Sequence, residues 1–160
     1  MLAALAAGCG GSGTGEHTES QQVRGIGYAF TAPKGWDVTR AGRTISAARG
    51  TELVSVTVFR LARRYRPALW ASAIPALDRV ADQLAQGLHG RVDSRTTVVL
   101  AGRRARRYDV SYRSGGKDLL ERIAFVLDGR REYELLCRFQ RHDAGVGKRC
   151  LAFLASFRPA

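Results

Sequence analysis

Four runs in the second half of the chain alternate apolar with polar residues, and this pattern is the strongest constraint on the fold. The apolar sets are Val98 and Leu100; Tyr108, Val110 and Tyr112; Ile123, Phe125 and Leu127; and Tyr133, Leu135, Cys137 and Phe139. Successive side chains of a strand lie on opposite faces, so a period of two predicts four strands with one buried face each. Two turn sequences predict antiparallel hairpins: DG at 128–129, with a two-residue type I′ loop, and SGGK at 114–117, with a slightly longer one.

The first half of the chain has further strand patterns. The plainest is LVSVTVF, with Val54, Val56 and Val58 on one face. Shorter patterns predict strands at 25–30, 36–39 and 44–48.

Two segments have the period of a helix instead. Apolar residues recur every three or four positions from Trp70 to Leu88, and Gly90 is suited to the left-handed position that ends a helix. Pro75 lacks a backbone donor, so either the helix kinks there or its regular part begins near it, and we favour the second. A second helix is predicted at 146–157. A chain of 160 residues buries one ordinary core, and the element order predicts a single α+β domain with an antiparallel sheet covered by helices.

The N-terminal sequence MLAALAAGCGGSGTGEHTES resembles the end of a bacterial lipoprotein signal peptide. In this interpretation residues 1–8 are a truncated signal peptide, Cys9 carries the lipid, residues 9–24 are a flexible tether and residues 25–160 form the domain. The protein is then anchored on the extracytoplasmic side of the cell membrane. The alternative is a disordered N-terminus with an incidental cysteine. No other segment approaches the ~20 apolar residues of a membrane-spanning helix.

The stretch FTAPKGW predicts a tight turn between two strands. Pro33 suits the second position of the turn and Gly35 the fourth, which leaves Trp36 placed to anchor the core.

This PKGW turn, the valine-rich strand, the helix and the later stretch VVLAGRRARRYDVSY occur in an order that resembles the PsbP-like group, including the LpqN-type lipoproteins of actinobacteria. The resemblance covers about residues 26–157. It implies an α/β/α sandwich around an antiparallel sheet, and an accessory or binding protein rather than an enzyme.

The chain has three cysteines. With Cys9 assigned to the lipid, Cys137 and Cys150 remain on the apolar faces of the last strand and the last helix, where an oxidising envelope would let them form a disulfide. Two separate buried thiols are the alternative. No histidine completes a zinc ligand set near them.

Catalytic signatures are absent from the sequence, and we expect neither an enzyme nor a cofactor. None of the three histidines, His17, His89 and His142, accompanies a nucleophile signature, and there is no GxSxG motif. Glu132 and Glu134 fall on one polar strand face, where ion pairs with Arg104 or Arg122 are expected.

Arginine dominates a net charge of +12. The runs RLARRYR and RRARR concentrate this charge, and their candidate surface residues are Arg63, Arg64, Arg66, Arg103, Arg104, Arg106 and Arg107. Three interpretations of this basic surface are open: it binds anionic lipid head groups, it binds nucleic acid, or it has no partner. Nucleic acid is discounted because an exported protein without a nucleic-acid module rarely meets it.

Two functions therefore compete. The first is a lipoprotein that carries an envelope lipid or another apolar ligand in a pocket between the Trp70 helix and the sheet. The second is a monomeric accessory protein that assists a membrane complex through its basic face, with an envelope protein as partner and no small ligand.

Overall fold

Seven antiparallel strands form the large sheet at the centre of the protein. The structure is a computed structural model that describes residues 19–160, so the expected lipidation site, Cys9, and His17 lie outside the described residues. In spatial order the strands are β3 (Asp37–Ala41), β4 (Thr44–Arg49), β5 (Glu52–Arg60), β9 (Arg131–Gln140), β8 (Lys117–Asp128), β7 (Arg103–Ser114) and β6 (Arg91–Leu100). The four strands predicted for the second half of the chain are confirmed as the meander β6 to β9.

A second sheet is built from both ends of the described chain. It has the order β1 (Ser20–Gly25), β2 (Tyr28–Pro33) and β10 (Arg158–Pro159). The prediction of one strand at 25–30 is wrong, because the chain turns at Ile26 and Gly27, and Gly25 pairs with Tyr28. The boundary of the tether at residue 24 is also too late. Val23 is 3% exposed and contributes to the core, so burial of its side chain holds β1 in the domain.

Two helices flank the sheets, α1 (Trp70–Gly87) and α2 (Ala144–Ser156). A short 3-10 helix, Pro67–Leu69, leads into α1. The expectation that α1 starts near Pro75 is wrong, since the proline lies inside the helix. Its missing donor removes one helical hydrogen bond, the one to the carbonyl of Ala71, and the buried Trp70 side chain holds the first turn against the sheet.

The end of α1 differs from expectation as well. His89, with a φ of 52°, takes the left-handed position, and Gly90 does not. Gly90 lies so close to the carbonyl oxygen of Ser111 that a side chain would collide with it. Glycine is needed there for close backbone approach.

The positions of residues in the turns also differ from those predicted. In FTAPKGW the amide of Trp36 donates to the carbonyl of Pro33, so Pro33 is first and Gly35, with a φ of 78°, is third. Gly115 and Gly116 form a two-residue loop in which both φ angles are positive, as a type I′ turn requires. The loop between β8 and β9 is instead Gly129 and Arg130, of which only Gly129 has a positive φ.

The elements form three layers, which confirms the predicted α/β/α arrangement. One face of the large sheet, the α2 face, packs against α2 and the small sheet, and its core includes Trp36, Leu135 and Phe153. The other face, the α1 face, packs against α1, with Leu77, Tyr108 and Phe125 in its core. The predicted burial of Trp36 is confirmed at 4% exposure.

A disulfide joins Cys137 on β9 to Cys150 on α2, with their Cα atoms 5.7 Å apart. Both cysteines are 1% exposed. The bond therefore lies inside the core of the α2 face and ties α2 to the central strands.

We predict that the chain with Cys9 replaced by serine has no free thiol when it is denatured without reductant. Reduction should lower its free energy of unfolding by roughly 3 kcal/mol, because the bond joins residues 13 positions apart and so restricts the unfolded chain. Thiol titration and urea unfolding measure the two effects. A count of two thiols would contradict the prediction, and the variant with both Cys137→Ala and Cys150→Ala is the reductant-insensitive control.

Candidate functional site

The antiparallel registers bring many arginines to one end of the large sheet. Leu100 pairs with Arg103, Asp128 with Arg131, and Arg60 with Arg131, so the ends of these strands and their turns lie together. We call this surface the basic end; it comprises Arg24, Arg40, Arg43, Arg60, Arg63, Arg64, Arg66, Arg103, Arg104, Arg130, Arg131 and Arg158. The opposite end, with the β4–β5 and β7–β8 turns, carries both signs of charge, for example Arg49 and Glu52. Positive charge is therefore concentrated at one of the two ends of the strands.

The two arginine runs meet at a cleft of about 640 Å³ in the basic end. Arg64 and Arg66 line it from the loop before α1, and Arg103 and Arg104 line it from the start of β7. A guanidinium nitrogen of Arg104 donates to the carbonyl of Pro67 at 2.9 Å and joins the two segments. We call this site the basic cleft.

Backbone hydrogen bonds fix the loop that carries Arg63, Arg64 and Arg66. The amide of Leu61 donates to the carbonyl of Arg130 at 2.9 Å, and the amide of Tyr65 donates to the carbonyl of Gly129 at 2.7 Å. The loop is thus held on the β8–β9 turn. The arginines are presented by a fixed backbone, which lowers the entropy lost when an anion binds.

One carboxylate, that of Asp128, lines the basic cleft. It lies 3.0 Å from a guanidinium nitrogen of Arg103. Arg63, Arg64 and Arg66 are exposed and have no ion pair within residues 19–160. Their combined field attracts phosphate or carboxylate groups.

A second concave surface of the basic end surrounds an exposed apolar turn. Ile26, at the tip of the β1–β2 turn, is 91% exposed. The neighbouring cleft of about 600 Å³ is lined by Arg24, Arg40, Arg43 and Arg131 together with apolar side chains. Basic and apolar groups adjoin here.

Arg106 is not part of the basic surface, and its assignment to that surface is wrong. It lies on the α1 face, where its Nε donates to Asp78 at 3.0 Å, and Tyr108 donates to the same carboxylate at 2.6 Å. Burial opposes ionisation of Asp78, but the hydrogen bonds from Arg106 and Tyr108 outweigh it and lower the pKa of the carboxyl. The charge of Arg106 is therefore neutralised by Asp78 within the domain.

Arg107 lies on the opposite face of β7. It is partly buried, and its Nε is fully buried without a hydrogen-bond partner. It lines a different cleft, together with residues of α2. Of the seven arginines predicted for one surface, the structure therefore separates Arg106 and Arg107 from the others.

The ion pairs expected for Glu132 and Glu134 are not formed. Arg122 pairs instead with Asp109, on the other face of the sheet, at 2.8 Å. The guanidinium of Arg104 lies over the ring of Trp70, 5.8 Å from its centroid. Burial raises the pKa of both glutamates, and the charges of Glu132 and Glu121 raise that of Glu134 further.

The described residues give no catalytic arrangement around the histidines. His89 and His142 are both exposed, one at the end of α1 and the other in the turn before α2. Within residues 19–160 there is no cluster of three or more His, Cys, Asp and Glu side chains suited to hold a metal ion. In the same residues, no helix is long and apolar enough to span a bilayer.

Several residues of the basic end were missed because they do not form runs in the sequence. Arg24, Arg40 and Arg43 are single residues close to hairpin turns. The feature that could have identified them is their position, since each lies beside a turn at the same end of its hairpin. That signal depends on knowing the strand order.

The pocket expected between the Trp70 helix and the sheet is filled by side chains. Trp70, Leu77 and Ala81 are at most 6% exposed, and they pack against Tyr108 and Phe125. Clefts are found elsewhere, including one at the basic end and one beside α2.

The chain matches no protein-family model and no curated protein sequence. Its similarity to known proteins is in three-dimensional structure. Cyanobacterial PsbP (CyanoP) from Synechocystis superimposes with a TM-score of 0.64 over 96% of this chain and 98% of that protein, at 13% sequence identity. The chain has the PsbP-like fold.

Two other structures are similar to this PsbP-like domain. A protein from Bacteroides thetaiotaomicron superimposes with a TM-score of 0.57 and 10% identity over 88% of this chain, which spans 48% of the length of that protein. LpqN of Mycobacterium tuberculosis, described as involved in cell envelope biogenesis, gives a TM-score of 0.48 and 11% identity over 88% of this chain and 90% of that one. At identities of 10% and 13%, the likeness to the Bacteroides protein and to CyanoP establishes the fold alone.

We predict that Arg106→Gln acts on stability. The change leaves Asp78, which is partly buried, without its charged partner, so the free energy of unfolding should fall by about 1–3 kcal/mol. Urea unfolding measures the loss. Arg104→Gln, two positions away and exposed, is the control, and an equal loss in both variants would contradict the assignment.

We predict that Glu134→Gln stabilises the protein at pH 7. A carboxyl whose pKa is raised by folding loses stability as the pH rises from its unfolded pKa through its folded pKa. The gain should therefore vanish below roughly pH 4, where the glutamate is protonated in both states. Thermal unfolding between pH 3 and pH 8 measures this difference. The exposed Asp37→Asn serves as control, and a gain that persists at pH 3 would exclude the electrostatic cause.

Proposed function

We propose that this protein is an exported, non-enzymatic accessory protein, anchored to the membrane through a lipid on Cys9, that binds an anionic partner through its basic end. The observation that carries the proposal is the meeting of the two arginine runs at the basic cleft, with Asp128 as the carboxylate that lines it. Each run alone is compatible with a solvated surface. Their convergence on a fixed loop concentrates a field that attracts anions.

The position of the tether favours a partner away from the anchoring membrane. Glu19 lies at the end of the sheet opposite the basic end, where its carbonyl accepts a hydrogen bond from the amide of Lys34. About ten residues separate Glu19 from Cys9, and fully extended they reach at most about 35 Å. The twelve residues of β8 alone span about 40 Å. If the strands stand perpendicular to the membrane, a lipid on Cys9 would hold the basic end away from the bilayer.

This geometry favours the accessory function over contact with head groups of the same membrane. A tethered domain of this kind would present its arginines to an acidic surface of another envelope component. Guanidinium groups suit such a surface because they form bidentate hydrogen bonds with carboxylates and phosphates.

We predict that the protein links two surfaces. The chain is coupled through Cys9 to a maleimide lipid in phosphatidylcholine vesicles, and free vesicles with 30% phosphatidylglycerol are added as the anionic probe. Clustering, followed by light scattering, should occur and should decrease with added salt, since the attraction is electrostatic. Replacing Arg63, Arg64, Arg66 and Arg130 by glutamine should reduce clustering at least tenfold.

The matched control replaces Arg49, Arg113, Lys117 and Lys148 by glutamine. These residues are also exposed and basic, and they lie at or near the opposite end. Clustering should persist in this variant. Equal loss in both variants would show that net charge alone is responsible, and no clustering by the wild-type chain would reject the proposed presentation.

A further inference from the structure

A separate cleft lies between α2 and the edge of the large sheet. Its volume is about 810 Å³, within the range of small-molecule sites. Val98 and Leu100 line it from β6, and Leu151 and Leu154 line it from α2. Leu151 is 49% exposed, so apolar surface remains open to solvent in this cleft.

Arg107 gives this apolar cleft an unsatisfied cation. Its Nε is fully buried and has no hydrogen-bond partner, and within residues 19–160 its guanidinium forms no ion pair. Thr96, directly opposite Arg107 in the β6–β7 register, also has a buried hydroxyl oxygen without a partner. A buried donor without an acceptor is costly.

The nearby carboxylates do not neutralise Arg107. Asp109, two residues along the same strand face, accepts two hydrogen bonds from Arg122 at 2.8 and 2.9 Å. Asp128 is paired with Arg103. Arg158, which also lines the cleft, donates to the backbone carbonyls of Ala155 and Phe157. The polar side of the cleft is therefore cationic, and its complement is an anion.

We propose that this cleft binds a single-chain anionic amphiphile. Its carboxylate or phosphate head group pairs with Arg107, and its acyl chain lies against Leu100, Leu151 and Leu154. An anionic head supplies an acceptor for the partly buried guanidinium, whose Nε has none, and the chain removes the exposed leucine surface from water. Arg103 lines both this cleft and the basic cleft, but Arg107 lines only this one, so substitutions at Arg107 test this site separately from the proposed function.

The test uses the Cys9→Ser chain and three probes of equal chain length: dodecanoate and dodecyl phosphate below their micellar concentrations, and dodecanol below its solubility limit. Isothermal titration calorimetry should detect binding of one or both anions and at least tenfold weaker binding of the alcohol. The stronger anion identifies the head group as carboxylate or phosphate.

Two variants locate the site. Arg107→Gln should weaken binding of the anion at least tenfold, and so should Leu151→Asp, which places a negative charge in the wall of the cleft. Arg113→Gln, a change of the same kind near the opposite end of the same strand, should bind as the wild type does. The quadruple variant of Arg63, Arg64, Arg66 and Arg130 should also bind normally, which separates this site from the basic cleft.

Three outcomes would overturn the proposal. They are equal binding of dodecanol and the anions, equal binding by Arg107→Gln and Arg113→Gln, and no binding of any probe by the wild-type chain. Thermal unfolding of Arg107→Gln provides a second readout. In the absence of ligand the variant should be at least as stable as the wild type, because it removes an unpaired charge, whereas addition of the anion should raise the melting temperature of the wild type alone.

Discussion

Both hydrophobic cores depend on the pairing of β8 with β9. In β8 the residues from Ile123 to Leu127 are buried on both faces of the sheet, so this strand has no solvent side over that length. Ala124 and Val126 face α2, whereas Ile123 and Phe125 face α1. A shift of one residue in the register would exchange these two sets and disrupt both cores at once. The register is therefore strongly specified.

The same register decides where the charge lies. The hairpin that pairs Asp128 with Arg131 brings the β8–β9 turn beside the loop of Arg64 and Arg66, and that loop is fixed to the turn by backbone hydrogen bonds. Arginines from distant parts of the sequence thus gather at one end of the sheet, although only some of them form runs. Neutral or mixed surfaces remain elsewhere because Arg106, Arg122 and Arg149 pair with carboxylates.

The elements were largely predictable from the sequence, but the site was only partly so. Alternation identified β6 to β9, and helical spacing identified α1 and α2, since side-chain periodicity follows directly from backbone geometry. The stretch GIGYAF misled because its alternation continues across a turn, and Gly27 supplies the positive φ that the turn needs. The run RRARR misled differently: successive residues point to opposite faces of β7, so neighbouring arginines serve a surface, an internal ion pair and a cleft.

The sequence by itself determined the strand and helix pattern, the buried position of Trp36 and the excess of arginine. It also identified Cys137 and Cys150 as residues of two apolar faces that could meet. Only the tertiary structure decided that they bond, that the pocket expected under α1 is filled, and that clefts form at the basic end and beside α2. The physical reason is that periodicity is a local property of the backbone, whereas the pairing of charges and the shape of a cleft depend on which distant strands become neighbours.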